Sequence, residues 1–520
     1  MNYRDIEIHK EDICTVVKKL KWDKQDGNRE LFSNHILHGS DNLLKLIASL
    51  FTAITVHGHH PDKMRIATIH SIPKDSKGNL CEAANYRGIA LISAVSKLYD
   101  LVFLKRNIDK MKSSELQYAF KEKHGTSMCT LVVKEVIHHY IKNKSNVAAC
   151  LIDASKAFDR VRHDRLFGLL VERKINSADI RALLDLYQRQ LTRTEWKGQY
   201  SDTFTSANGI RQGSITSPLL YCLYMDELLV RLKKSGIGCW IGAHYLGAIS
   251  YADDLTLLSP SHNGLQEMIK TCEEYAVEFG VEFNPIKSVC VLFGKGSTPK
   301  ISLGGRDLKW VKTVKFLGNH LTSELSETED VRLKRGDLVG RVNSLVGNLG
   351  DAPDAILLQI FRSECCHFYG TQCWDFTQNS TRSFHTMWNQ CVRRLLKLPM
   401  MTHSQYLELL VNQASSTVQV AQRFARMCQS MIDNDNNDTG YLVKIGLSSA
   451  DTIIGRNMRW IGRQMGKSTQ ELMRKNCKLT DSSSKEDHWA VKTIQELRKC
   501  QCGPLNDYER LCLLQDLCTS

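Results

Sequence analysis

The clearest feature of the chain is where apolar runs stop on acid. Residues 147–152, "VAACLI", form a continuous apolar run of strand length, suited to a sheet covered on both faces, and the run ends on Asp153. About a hundred positions later, "LGAISYADDLTLLSP" (246–260) reads as two short strands around a turn that carries Asp253 and Asp254. Around these lie helical patterns. Residues 11–60 read as helices, with Leu44, Ile47, Leu50 and Phe51 on one face and Gly58 just past the end. A strand ending at Pro73 precedes a polar Lys/Gly/Asn loop, and apolar periodicity resumes at Ile89. Leu166, Leu169 and Leu170 mark a helix, and Leu219, Leu220, Leu223 and Leu228 form the stripe of another. A helix over 265–279, the strand "SVCVLF" and the hairpin-like "LKWVKTVKFLGNHL" follow, and beyond Ser326 the chain reads as mainly helical. This order predicts an α+β fold whose sheet carries helices on one face. The polar runs "DNDNNDTG" (433–440) and "DSSSKED" (481–487) read as a boundary or surface loop and a second linker.

Length and composition narrow the class. A chain of 520 residues exceeds one ordinary core and implies three or four domain-sized units. Apolar content of 42% and charged content of 24% describe a globular protein. The net charge of +13 is spread along the chain and favours polyanionic partners, of which nucleic acid is the commonest inside cells. No signal peptide or membrane span is legible, so the expected setting is intracellular (nucleus, cytoplasm or both) with no membrane partner. Eighteen cysteines without a CxxC pair read as reduced, mostly buried thiols. Cys477, His488, Cys500 and Cys502 fit no zinc spacing. A calcium loop at 433–440 fails, because Asp438 stands where glycine is needed. "GIGCWIG" (236–242) is one residue too long for a dinucleotide fingerprint and follows a helix.

If the two acid-bearing elements share one sheet, Asp153, Asp253 and Asp254 converge at one edge. Carboxylates that close cannot all stay ionised without compensation. Two Mg²⁺ ions, with Mn²⁺ as an alternative, would supply it and could serve phosphoryl transfer. Asp also favours helix caps and turns, so each residue alone fits ordinary structure equally well.

The neighbouring sequence distinguishes these readings. "SIPKDSKGNLCEAANYRGIALISAVSKLYD", "ELQYAFKEKHGTS", "LIDASKAFDRV", "NGIRQGSITSPLLY" and "YADD" occur in the order found in the reverse transcriptases of LINE-like (non-LTR) retrotransposons. "VEFNPIKS", with its Asn–x–x–Lys signature, and "FLGNHL", similar to the primer-grip hairpin, follow. Together these blocks span residues 69–320. "KWDKQDGNRELFSNHIL" resembles the fingers extension of such elements, and "HFYGTQCWDFTQ" with "WNQCVRRLLKLP" the helical region after the palm.

The resemblance implies a right-hand polymerase: fingers at 1–130, a ferredoxin-like palm at 131–322, a helical thumb at 323–432 and a helical C-terminal region at 433–520. Asp153 and Asp253 would be the principal ligands of two metal ions, supported by Asp254, with the Ala154 carbonyl completing one shell. Phe158 would sit under the incoming sugar and exclude a 2′-hydroxyl. Gln212 and Gly213 would line the nucleotide pocket, Lys74 and Arg87 would grip the triphosphate, and Lys287 would protonate departing pyrophosphate. Asp159 is expected to pair with Arg160 or Arg162. The implied partners are an RNA template, a DNA primer and dNTPs. A catalytically silent RNA-binding scaffold is the main rival, although decayed copies tend to lose a carboxylate or the Gln–Gly pair and both are present here. A group II intron-type enzyme would carry a maturase-like or Cys-rich tail, which "CQCGPLNDYERLCLLQDLCTS" does not resemble. No nuclease motif is legible before the fingers or after the palm, so target-primed integration does not follow from the sequence.

Overall fold

The computed structural model describes residues 6–24, 32–411, 413–434 and 437–473. The run 481–487 and the Cys477–Cys502 group lie outside them. In chain order, helix α1 (Asp41–His57) precedes the hairpin of β1 (Ile66–Pro73) and β2 (Tyr86–Ile92). Helices α2 (Ala94–Asn107) and α3 (Thr126–Lys142) lead into β3 (Val147–Ile152), then β4 (Leu191–Trp196) and β5 (Gln199–Tyr200). Helix α4 (Ser217–Ser235) is followed by the hairpin of β6 (Ala248–Tyr251) and β7 (Asp254–Ser259), α5 (His262–Phe279), β8 (Val289–Phe293) and β9 (Lys309–Trp310). A last hairpin, β10 (Thr313–Phe316) and β11 (Asn319–Thr322), opens the helical region. That region contains α6 (Thr328–Leu349), α7 (Asn379–Leu395), α8 (Ser416–Asp433), α9 (Asn437–Ser448) and α10 (Ile453–Met465).

Two sheets organise the site. The first has strand order β2-β1-β4-β5, and the second, central one has order β9-β8-β3-β7-β6. β3 lies at the middle of the central sheet, antiparallel to β7 and to β8. Its side chains alternate between two cores. Ala148, Cys150 and Ile152 join α4 and α5 through Leu220, Leu223, Leu265 and Ile269. Val147 and Ala149 join α3, through Val132 and Val136, and the helices beyond residue 328. The expectation of helices on one face is therefore corrected: the C-terminal helices close the second face. Double burial also fixes the register. A one-residue slip would exchange the two faces of β3 and set small side chains where large ones pack, a mismatch that costs about 1–3 kcal/mol.

Local signals set the element ends. Ser40 caps α1 by accepting the Leu43 N–H at 3.4 Å, and Gly58 (φ +65°) closes it in the left-handed conformation that glycine adopts without strain. The buried arc of α1 turns through Ala48, Thr52 and Thr55 beside Ile47 and Phe51, which rotates Leu50 out to 36% exposure. The run 433–440 stands where α8 ends at Asp433 and α9 begins at Asn437. Its helical part is not a surface loop: Asp438 and Thr439 are buried, and Asp438 accepts from His244 Nδ1 at 2.5 Å. Cys14 and Cys81 aside, the described cysteines are buried free thiols, as expected.

Candidate active site

The β3–β7 register pairs Ile152 with Leu255. One step further along the same register sets Asp153 opposite Asp254. Asp253 occupies the two-residue turn between β6 and β7, where Tyr251 pairs with Asp254. Sequence elements a hundred residues apart thus deliver three carboxylates to one sheet edge. The first turn residue, Ala252, has φ +58°, a conformation that favours glycine. Buried Gln117 braces it: the Gln117 side-chain oxygen accepts the Ala252 N–H at 2.9 Å, and its amide donates to Ser250 Oγ at 3.2 Å. Backbone bonds between residues 116–118 and Ser250 add this segment to the sheet.

Asp153 is held as firmly. Its N–H donates to the buried Ser288 Oγ at 3.0 Å, and its carbonyl accepts the Asn284 N–H at 2.8 Å. The Asn284 side chain accepts the N–H groups of Ile286 (2.9 Å) and Lys287 (3.3 Å), which explains the Asn–x–x–Lys spacing. The turn so formed brings Lys287 Nζ to 3.8 Å from Asp153 Oδ2. Neither hydrogen bond flanking the Ala154–Phe283 bridge uses the Ala154 carbonyl.

The electrostatics follow from this crowding. Burial, and then repulsion from Asp153, raises the Asp253 carboxyl above its usual range, while the nearby Arg87 opposes the rise. Asp254 is pushed up to about 6 by desolvation, Asp253 and Asp153 in that order, although its outer surface is open to solvent. Among the described residues no three acidic, His or Cys side chains form a preformed metal cage. The donor set is nevertheless all oxygen, and its repulsion is of the kind that a hard divalent cation offsets. The residues present fit such an ion.

The loop "NGIRQGS" docks against the turn after β3. The Gly209 N–H donates to Val161 O and the Ile210 N–H to Phe158 O, both at 2.8 Å. Phe158 stacks on buried Tyr221 with ring centroids 4.5 Å apart at 17°. Gln212 Nε2 donates to Asp159 Oδ1 at 2.7 Å. Arg160 pairs with Glu282 and Arg162 with Asp164, so the expected Asp159–Arg pairing is replaced by an amide contact. Gly213 has φ +80°, and a Cβ there would stand 2.0 Å from Ala90 O of β2. Buried Arg211 donates to Met64 O at 2.6 Å, and buried Asp100 accepts from Ser214 Oγ at 2.7 Å and the Ile215 N–H at 2.9 Å. Arg87 on β2 is exposed, opposite Ile72 of β1, and Lys74 stands at the tip of that hairpin.

Three supporting residues escaped the sequence reading: Gln117, Ser288 and Asn284 in its bracing role. All three lie inside the recognised blocks "ELQYAFKEKHGTS" and "VEFNPIKS", but a neutral side chain gives no pattern signal.

Residues 72–321 match the family model described as reverse transcriptase (RNA-dependent DNA polymerase). The chain is 24% identical over 389 residues to the RNA-directed DNA polymerase from mobile element jockey of Drosophila melanogaster, covering 71% of this chain and 42% of that protein. It is 28% identical over 258 residues to the Pol polyprotein from type-1 retrotransposable element R2 of Nasonia vitripennis, covering 49% and 25%. The chain therefore spans less than half the length of these two relatives. Among solved structures, apo telomerase from Candida tropicalis aligns with a TM-score of 0.40 at 13% identity, over 80% of this chain and 68% of that one. Such distant agreement adds nothing to the assignment, which rests on the sequence matches. Over residues 72–321, the chain carries a reverse transcriptase domain of the non-LTR retrotransposon class.

Proposed function

We propose that the protein is an RNA-directed DNA polymerase that extends a DNA primer with dNTPs on an RNA template. The observation that carries this reading is the meeting of Asp153 and the Ala252–Asp253 turn at one sheet edge, inside a domain matched by the reverse transcriptase family. In this reading the fingers comprise 1–130, the palm 131–322, the thumb 323–432 and the C-terminal helices 433–520.

Asp153, Asp253 and the Ala154 carbonyl would hold two divalent ions, Mg²⁺ being suited to oxygen donors, with Asp254 in support. When bound, the ions would lower the pKa of the primer hydroxyl and stabilise the leaving oxygen. Arg87 and Lys74 bind the triphosphate by charge-assisted contacts. Phe158, backed by Tyr221, presents a fixed ring beneath the sugar and excludes a 2′-hydroxyl. Gln212, oriented by Asp159, and Gly213, packed on β2, shape the nucleotide pocket. Lys287 donates the proton to departing pyrophosphate.

The test is primer extension on poly(rA)/oligo(dT) with purified protein beside an Asp253→Ala, Asp254→Ala variant. Incorporation by the wild type alone supports the enzyme. Absence of incorporation with RNA binding retained would leave an RNA-binding scaffold as the function.

A further inference from the structure

A second constructed feature stands beside the catalytic turn, contributed from beyond the matched domain. Tyr369 lies between α6 and α7, and its hydroxyl makes two hydrogen bonds to different parts of the fold. It donates to Leu317 O in the turn of the β10–β11 hairpin at 3.0 Å, and it meets Thr126 Oγ1 at the start of α3 at 2.7 Å. Thr126 serves as the donor there if the phenol proton points to Leu317. The backbone is shaped around this contact. Gly318 has φ +81°, and a Cβ on it would reach 2.5 Å from the tyrosine ring. Gly370 has φ +74°, and a Cβ on it would collide with the side chain of Asn319 at 1.9 Å. Hairpin and loop thus interlock through two glycines, each leaving room for the other segment.

Despite these restraints, Tyr369 remains 48% exposed. A buried tyrosine so bonded would be packing. A half-exposed ring with a fixed plane is instead a preorganised flat surface, which suits a nucleobase or sugar. Its position limits which nucleotide. Tyr251, the residue before the catalytic turn, packs against the core that contains Cys129, one turn into α3, and the segment whose Gln117 braces that turn runs on to Thr126, which Tyr369 meets. The strand that ends at the carboxylates is the one that supplies the attacking hydroxyl.

We propose that Tyr369 is a positioning residue for the 3′-terminal nucleotide of the primer: its hydroxyl latches the β10–β11 turn to α3, and its exposed ring face supports the terminal nucleotide beside Asp253. This rests on the polymerase reading above. A hydroxyl displaced by about an ångström from its attack position can slow the chemical step about a hundredfold, so losing part of this support should register in rate rather than in nucleotide affinity.

The experiment uses the full chain, an RNA template and a DNA primer carrying 2-aminopurine at its 3′ end. Terminal-base fluorescence, single-turnover incorporation and melting temperature are measured for wild type, Tyr369→Phe and Tyr369→Ala. The expected result is brighter, less stacked 2-aminopurine with Tyr369→Ala. The incorporation rate should fall about tenfold or more for Tyr369→Ala and less for Tyr369→Phe, with the apparent dNTP affinity within about twofold. Unchanged fluorescence and rate in Tyr369→Ala would overturn the proposal. So would loss of rate that only tracks a lowered melting temperature, or that Tyr369→Phe reproduces in full while fluorescence stays at the wild-type value. A wild type that binds the duplex without extending it would overturn the polymerase reading, and the fluorescence arm would still decide the tyrosine. A wild type that binds no duplex would overturn both.

Discussion

At the scale of single residues, the site is a set of repulsions held in place by neutral neighbours. Asp254 illustrates the consequence for pH. Its carboxyl titrates at about 6 in the fold against 3.8 for the free group, so the folded protein holds that proton to higher pH than the unfolded chain does. Folding is then linked to proton uptake between these values, and stability falls as pH rises through the window. With divalent cations removed, Asp254→Asn should leave the melting temperature unchanged near pH 4 and raise it by roughly 1–3 °C at pH 7. The gain is small because solvent screens an exposed carboxylate. Scanning fluorimetry from pH 4 to 7.5 measures it, and a variant less stable than wild type at pH 7 would contradict the repulsion argument. Gly213 makes the opposite case, where backbone rather than charge is limiting. Gly213→Ala forces a Cβ to 2.0 Å from the Ala90 carbonyl at a positive φ, so β2 must shift. We expect a loss of about 2–4 kcal/mol in urea unfolding, together with a raised KM for dNTP, because β2 also carries Arg87. Carboxylates interrupting apolar runs are visible in a sequence because they violate a pattern. Gln117 and Ser288, which brace the same turn and strand, are invisible because neutral polar residues in loops violate nothing.

At the scale of elements, periodicity anticipated the strands that carry the site. β3, β6, β7 and β8 lie where apolar run length and alternation set them, since each is buried on at least one face. What the sequence did not reveal is how the C-terminal helices cover the second face of the sheet. Those attachments are made by charged residues of α3 whose partners are hundreds of positions away. Lys134 Nζ pairs with Glu327 inside the core and also donates to Cys373 O at 2.7 Å. Glu135 accepts the N–H groups of Ile453 (3.3 Å) and Ile454 (2.5 Å), capping α10 from outside its own helix. On a helical wheel Lys134 and Glu135 look like solvated residues, yet both are buried, and no local rule could assign their partners. The buried pair gives a sharp test. Lys134→Met leaves Glu327 charged and unpaired and should cost about 3–5 kcal/mol. Glu327 also accepts the Asp375 N–H at 2.8 Å, so Lys134→Met with Glu327→Gln, which keeps an acceptor, should recover most of the loss. Urea midpoints for the two variants check this, and a double variant no better than the single one would show that the charge is not the cause. The burial of the first turn of α9 escaped for the same reason: its Asp438 is committed to His244, 194 positions away.

At the scale of the whole molecule, two apolar cores meet on opposite faces of the central sheet, and this leaves the sheet edge as the place where chemistry is accessible. The surplus of charge belongs to the outside of that arrangement. Lys and Arg number 69 against 56 Asp and Glu, and several of the acids are withdrawn into internal pairs such as Glu327 with Lys134 and Asp330 with Lys334. A template–primer duplex lying across this edge would meet cations at its phosphates, and each neutralised phosphate would release condensed counterions. If about six phosphates are neutralised, the logarithm of the association constant should fall with log salt at a slope near −5, about a thousandfold between 50 and 200 mM. This dependence separates two contributions that a single binding constant merges. Contacts to phosphate weaken with salt on any sequence, whereas a base-stacking surface such as Tyr369 keeps its contribution. Tyr369→Ala should therefore lower duplex affinity by a similar factor at both salt concentrations and leave the slope unchanged from that of the wild type. Filter binding over that range reads both slopes. A flat response in the wild type would mean that the positive surplus takes no part in holding nucleic acid.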